Sequence, residues 1–231
     1  MSFSDSLSVQ HINTNFKAVL EKNPHDLQIP DKIADEVFEV ASQGKNLFNG
    51  TLVCVKDFSP SLITGYTVSF KEFLASYHLG YRGVHKPLAV SGWVRHLDRI
   101  LFGIRSEKVL FSPKLLELVP SGGVDDSAIE NDIINFETAL INEFEEETGL
   151  FVDVIKTIKP EMIIYCKEKY LYDICQSIVL KEDEDVYCDE FNDEYSDLFW
   201  VPINEIKGFI DEHKNKVHPT TLAIIESKII C

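Results

Sequence analysis

The chain has 231 residues, 45% hydrophobic and 11% aromatic, which supplies a core for one large domain, or a domain with a smaller appendage, and excludes a disordered chain. Its formal net charge is −16, from 22 basic and 38 acidic residues, a balance that repels nucleic-acid backbones and anionic lipid and argues against DNA, RNA and membrane partners. A small anionic substrate stays compatible with it, because a bound metal ion inverts the local field.

The five cysteines, Cys54, Cys166, Cys175, Cys188 and Cys231, are odd in number and form no CxxC pair. Neither a disulfide framework nor a zinc ribbon is expected, and a reducing compartment fits best. The start, MSFSDSLSVQHINTNF, has no basic region followed by an apolar one, and no apolar run approaches the ~20 residues that span a bilayer. A soluble cytoplasmic protein is the expectation.

In chain order, residues 1–30 are mixed and polar, broken by Pro24 and Pro30, and predict loops or short helices. Residues 31–44 predict a helix with Ile33, Val37 and Val40 on one face and Gly44 as the stop. TLVCVKDF (51–58) and SLITGYTVSF (61–70), parted by Ser59-Pro60, predict a strand pair, and 71–82 a short helix. PLAVSGWV (87–94) and RILFGIRS (99–106) predict a hairpin, and LLELVP (115–120) a short strand. A long helix is predicted over 131–148, then strands near 152–158, 162–168 and 171–180. The acidic stretch 181–197 reads as solvated, LFWVP (198–202) as a last strand and 219–229 as a final helix.

The chemistry-bearing segment is VPSGGVDDSAIENDIINFETALINEFEEETGLFV, residues 119–152. On a helix, Ile133, Phe136, Leu140 and Phe144 form one apolar stripe. Glu143, Glu146 and Glu147 stand at i, i+3 and i+4, so their carboxylates share the neighbouring face, and Gly149 suits the helix end. Three glutamates at a helix C-terminus oppose the helix dipole and repel one another, at ~0.3–1 kcal/mol per charge. A divalent cation among them would offset both penalties. Oxygen ligands without nearby His or Cys point to magnesium or manganese. The Glu147 carboxylate is expected to be exposed and repelled by its neighbours.

NEFEEETGL resembles the core of the Nudix box, in which Gly, five residues, Glu and seven residues precede Arg-Glu-apolar-any-Glu-Glu-any-Gly-apolar. Glu143, Phe144, Glu146, Glu147, Gly149 and Leu150 fit that core, Ala139 falls where small residues are common, and WVPINEI (200–206) resembles the family's downstream segment. Two positions depart from it. Asn142 stands where the family has Arg, and Ile134 falls in register with the family's first Glu. The stretch from Gly122 and Gly123 to the core is also five or six residues longer than usual, and Asp125, Asp126, Glu130 and Glu137 are candidate replacements for the missing acid. NLFNGTLVCV (46–55) and GYTVSFKEFLASYHLG (65–80) add a similarity to a Nudix branch acting on UDP-sugars.

The resemblance implies an α+β fold, a Nudix-like mixed sheet sandwiched by helices (α/β/α), in residues 86–231, behind a small N-terminal α+β extension in residues 1–85. It implies Mg2+-dependent (or Mn2+-dependent) cleavage of a small-molecule nucleoside diphosphate derivative, such as UDP-glucose or UDP-galactose to UMP and sugar 1-phosphate. An ADP-ribose or dinucleotide pyrophosphatase is the alternative among enzymes, and a nucleotide-binding module the alternative outside them. In such a site Glu143 and Glu147 are the principal metal ligands, with Glu146 a further ligand or the base that positions water. Gly122 and Gly123 would let the backbone approach the substrate, and Arg105 could reach a phosphate. Glu190 and Glu194 lie where the family often adds a carboxylate. Phe73, Tyr77 and Tyr81 read as core packing with base stacking as the second use.

Overall fold

A computed structural model describes residues 6–24, 27, 29–45, 47–183, 186 and 193–229. β1 (Leu7–His11) and β2 (Lys17–Leu20) come first, then α1 (Asp31–Ser42), β3 (Thr51–Ser59), β4 (Leu62–Ser69) and α2 (Phe70–His78). β5 (Leu88–His96), β6 (Arg99–Arg105), β7 (Leu116–Leu118) and β8 (Ser121–Gly123) follow, and β9 (Ile129–Glu130) and β10 (Ile133–Ile134) lead into α3 (Phe136–Thr148). β11 (Ile155–Cys166), β12 (Leu171–Leu180) and β13 (Tyr195–Pro202) precede α4 (Ile206–His213) and α5 (Pro219–Ile224), which runs on into a π turn at Ile225–Ile229.

Three sequence expectations change. The polar N-terminus holds strands rather than short helices, because each strand finds a distant partner: β1 pairs antiparallel with β11, and β2 runs parallel to β4. The helix expected from residue 131 begins at Phe136. Asn131 and Asp132 adopt positive φ (50° and 61°) and turn β9 into β10, a conformation their short polar side chains tolerate. Ile133 therefore leaves the helix's apolar stripe and is exposed. Finally, the strands expected at 152–158 and 162–168 are one strand, and Pro160 is accommodated at a register shift between Pro160 and Met162.

The larger sheet has eight strands in the order β1-β11-β12-β5-β6-β13, with β7 paired to β6 and β8 to β5. β12 and β5 run parallel. The smaller sheet has the order β3-β4-β2-β10-β9. Residues 1–85 and 86–231 thus exchange strands: β1 joins the large sheet, while β9 and β10 join the small one.

Strand pleating places the cores. On β5, Val90 and Val94 join Leu140 and Phe144 of α3 in one cluster, while Trp93 faces Ile206, Ile210 and Ile224 of α4 and α5 in another. The large sheet is therefore covered on both faces. The small sheet divides likewise: Val53, Val55 and Ile63 share the α3 core, whereas Leu52, Cys54, Tyr66 and Val68 pack with Phe73 and Leu74 of α2. The protein is α+β, with helices on both sides of a mixed sheet, as expected. Cys54, Cys166 and Cys175 are free thiols, and Cys188 and Cys231 lie outside the described residues. Among the described residues no helix is long and apolar enough to cross a membrane.

Candidate active site

α3 presents the glutamates. Its start is fixed by Asn135, whose Oδ1 accepts from the Thr138 N–H at 3.1 Å, and its end by Gly149 at φ 70°, where the backbone turns left-handed. Leu140 and Phe144 are fully buried, so the helix is clamped to the sheet and the direction of its last turn is set. Glu147 was expected to be exposed and has 0% exposure. The reason is β8, which lies across the helix end: the Ser121 N–H donates to Glu147 Oε2 at 3.0 Å. Glu147 Oε1 is buried with no hydrogen-bond partner.

Burial pushes the Glu147 carboxyl far above the usual range, with Glu143 and Glu117 adding to the shift. Glu143 is half-buried and is raised to about 8, first by burial and then by Glu194, Glu146 and Asp125. Glu146 is exposed at the outer edge of the group. Gly122 is there for space: a Cβ on it would stand 2.0 Å from Glu143 Oε1, so only glycine lets that carboxylate lie against the β8 backbone. Gly123 is less constrained, since a Cβ there would meet only Leu52 Cδ1, at 3.5 Å.

A second carboxylate group went unnoticed in the sequence. Glu117, buried on β7, accepts from the Arg105 guanidinium, from Tyr195 Oη at 2.6 Å and from Ser121 Oγ at 3.2 Å. Tyr195 reaches it because its ring lies over Gly103, where a Cβ would come within 2.5 Å of Tyr195 Cδ1. Arg105, expected to meet phosphate, is thus engaged by Glu117 at the same cavity wall. Asp173 on β12 is buried and accepts from Ser91 Oγ at 2.8 Å, while its Oδ1 has no partner. Burial raises the Asp173 carboxyl to about 7 even though the Ser91 bond opposes the shift. Both residues were visible as a signal, a lone acid inside an apolar strand (LLELVP, LYDICQSIVL). Glu194 is half-buried and burial raises its carboxyl, with Arg105 opposing, whereas Glu190 lies outside the described residues.

The loop between β8 and β9 is tied to α3 at the Arg-substituted position. Asp125 Oδ1 accepts from the Ser127 N–H (2.9 Å) and Oγ (2.6 Å), and Asn142 Nδ2 donates to Ser127 Oγ at 3.2 Å. Glu130 and Glu137 are exposed, and Ile134 is buried against Gly65.

These groups open on a cavity of about 810 Å³. Glu117, Glu143, Glu146, Asp173 and Glu194 line it, together with Arg105, Lys108, Lys169 and His218. The N-terminal region supplies an apolar wall of Leu52, Phe70, Phe73 and Tyr77, while Phe48 beside it is 85% exposed. Tyr81, also 50% exposed, lies outside the lining. The volume suits a ligand of nucleotide-sugar size.

The donors fit a hard cation in kind: oxygen only, one of them a buried orphan, with the Glu143 and Glu147 carboxyls raised by burial and by the neighbouring carboxylates. Among the described residues no three acidic, His or Cys side chains are already gathered as a ligand set, so Glu143, Glu146 and Glu147 would have to turn toward a shared ion.

No family sequence model matches the chain, and no curated protein matches it in sequence. Solved structures do match in fold. Tm1382, provisionally assigned as a Nudix hydrolase, is 13% identical at a TM-score of 0.51, over 82% of this chain and 95% of its own. DR0079 from Deinococcus radiodurans is 14% identical at a TM-score of 0.48, over 70% and 89%. The bifunctional NMN adenylyltransferase/ADP ribose pyrophosphatase from Francisella tularensis is 19% identical at 0.44, over 60% of this chain and 39% of that one. Identities this low speak to architecture alone, and the likeness to Tm1382 shows that the chain has the fold of the Nudix hydrolases.

Proposed function

We propose that the chain hydrolyses a phosphoanhydride bond in a nucleoside diphosphate joined to a second group, with Mg2+ or Mn2+ held by Glu143, Glu147 and Glu146. The observation that carries this reading is the buried, unpartnered Oε1 of Glu147 beside the protonated Glu143, both pressed against the diglycine strand at a cavity of nucleotide-sugar size. A bound divalent cation supplies charge neutralisation at the diphosphate and acidifies a water molecule. Glu143 and Glu147 would hold it as carboxylates, having given up their protons, and β8 fixes Glu147 Oε2 through the Ser121 N–H. Glu146 and Glu194, which line the cavity and act electrostatically on Glu143, would take the proton of the attacking water. Arg105 and Glu117 hold each other and fix the wall beside the pair.

UDP-glucose and UDP-galactose are the first substrates proposed, on the likeness of 46–55 and 65–80 to the UDP-sugar branch, the same segments that build the apolar wall. A cytoplasmic location belongs to the same proposal. The test is product release from a panel of UDP-sugars, ADP-ribose and dinucleotides, with magnesium and with chelator. UMP and sugar 1-phosphate appearing only with magnesium support the reading. Release from ADP-ribose alone would move the substrate. Tight, chelator-insensitive binding without any product would make the chain a binding module.

A further inference from the structure

Three basic side chains and one histidine line the cavity, and two of the basic groups are already neutralised. The Arg105 guanidinium is bound by Glu117, and Lys108 Nζ lies 2.7 Å from Asp193 Oδ1. Lys169 differs. Among the described residues no carboxylate stands within ion-pair distance of its ammonium, in a chain of net charge −16. Its Nζ donates instead to Ser112 Oγ at 3.0 Å and lies 3.5 Å from His218 Nε2. The three groups come from separate places: the β11–β12 turn, the β6–β7 loop and the start of α5.

Burial lowers the Lys169 pKa and Arg105 adds to the lowering, against the pull of Cys166, Glu117 and Glu168. Burial lowers His218 to about 4, against the pull of Glu117 and with Lys169 and Arg105 adding, so its ring is neutral at pH 7. With Nε2 facing the ammonium, the neutral imidazole carries its N–H on Nδ1, and Ser112, which accepts from Lys169, keeps its O–H to donate. A cation and two further hydrogen-bond donors at a cavity wall, with no carboxylate in ion-pair contact, have the chemistry of an anion receptor.

We infer that Lys169, Ser112 and His218 form a phosphate-binding subsite that holds the phosphate of the substrate not held by the glutamates. The inference rests on the reading of the chain as a diphosphate hydrolase and adds a polarity to it. One phosphate lies toward Glu143 and Glu147, and the other lies toward Lys169, next to the Arg105–Glu117 pair. A ligand without a second phosphate leaves the ammonium unsatisfied and binds weakly.

The probes are inorganic phosphate and pyrophosphate, titrated calorimetrically into the full chain in chelator, where the glutamates cannot recruit a metal. Wild type should bind both. Lys169→Met should weaken each at least tenfold, about 1.4 kcal/mol, and Lys169→Arg should restore most of the loss. Lys169 sits on the β11–β12 turn, outside every strand and helix, so both variants should fold, which far-UV circular dichroism checks. With magnesium and UDP-glucose, Lys169→Met should raise KM far more than it lowers kcat. Unaltered phosphate binding in Lys169→Met, or no binding by wild type, overturns the subsite. Phosphate binding that depends on Lys169 in a protein that turns over no diphosphate upholds the subsite and removes the hydrolase reading.

Discussion

Replacing Glu147 by Gln puts a neutral amide where burial and Glu143 already disfavour a carboxylate. The amide oxygen can still accept from the Ser121 N–H, so folding should survive within about 1 kcal/mol. Magnesium-dependent turnover should fall by roughly 100-fold or more, about 2.7 kcal/mol of transition-state stabilisation. Gly122→Ala makes the complementary test. The new methyl would collide with the end of a flexible side chain, so Glu143 should swing away at little cost to stability. Turnover should drop about tenfold or more, whereas Gly123→Ala, with only ordinary contact to Leu52, should change it little. Equal effects of the two alanines would contradict the steric account.

Glu143 also sets a pH dependence. Its folded pKa of about 8 lies above the ordinary 4.5. Below 4.5 folded and unfolded chains both carry the proton. As pH rises from there to 8 the unfolded chain releases it while the folded chain keeps it, so metal-free stability falls across that window. Melts in chelator should show Tm decreasing between pH 5 and pH 8, and Glu143→Gln should flatten the decrease. Magnesium should raise Tm more at pH 8 than at pH 6, because it competes with protons. A metal-free Tm that climbs over this range would be inconsistent with the buried pair.

At the scale of elements, α3 and the loop before it behave as one unit. Asn142 stands where the family resemblance calls for Arg, and it bonds to Ser127, which Asp125 holds. Asp125 also acts electrostatically on Glu143. Alanine at Asp125 and at Asn142 should each lower turnover, and the double variant should fall short of the product of the two, with a coupling above ~0.5 kcal/mol. Strict additivity would mean that the loop is held by something else.

The box helix was legible in the sequence because its information is local: Glu143, Glu146 and Glu147 lie within five residues, and Gly149 marks their end. Its start was misplaced because Asn131 and Asp132 read equally well as helix-flanking polar residues and as the turn they form. Glu117, Asp173 and Lys169 were not legible as a group. Their strands and turn meet only through the pairing of β6 with β7 and of β12 with β5, contacts that no local pattern carries. Burial of Glu147 was missed for a like reason, since β8 covers it from 26 residues away.

For the whole molecule, exchanged strands should abolish independent unfolding. β1 from the N-terminal part lies at the edge of the large sheet, and β10 from the later part pairs with β2 in the small one. Val53 and Ile63 share a core with Leu140 and Phe144. Calorimetry should show one transition whose van't Hoff and calorimetric enthalpies agree. Two resolved transitions would mean that the N-terminal part melts separately. The surface charge acts at this scale too: self-repulsion at −16 should make the protein more stable in moderate salt, apart from any effect at the site.

The pairing of β1 with β11 also has a consequence for synthesis. Leu7 is opposite Cys166 and His11 opposite Met162, so β1 leaves the ribosome some 150 residues ahead of its partner. At ~5–20 residues per second that is a wait of roughly 8–30 s. During it LSVQH stays a short segment with little to aggregate through, and β1 closes one edge of the large sheet only once β11 has been made.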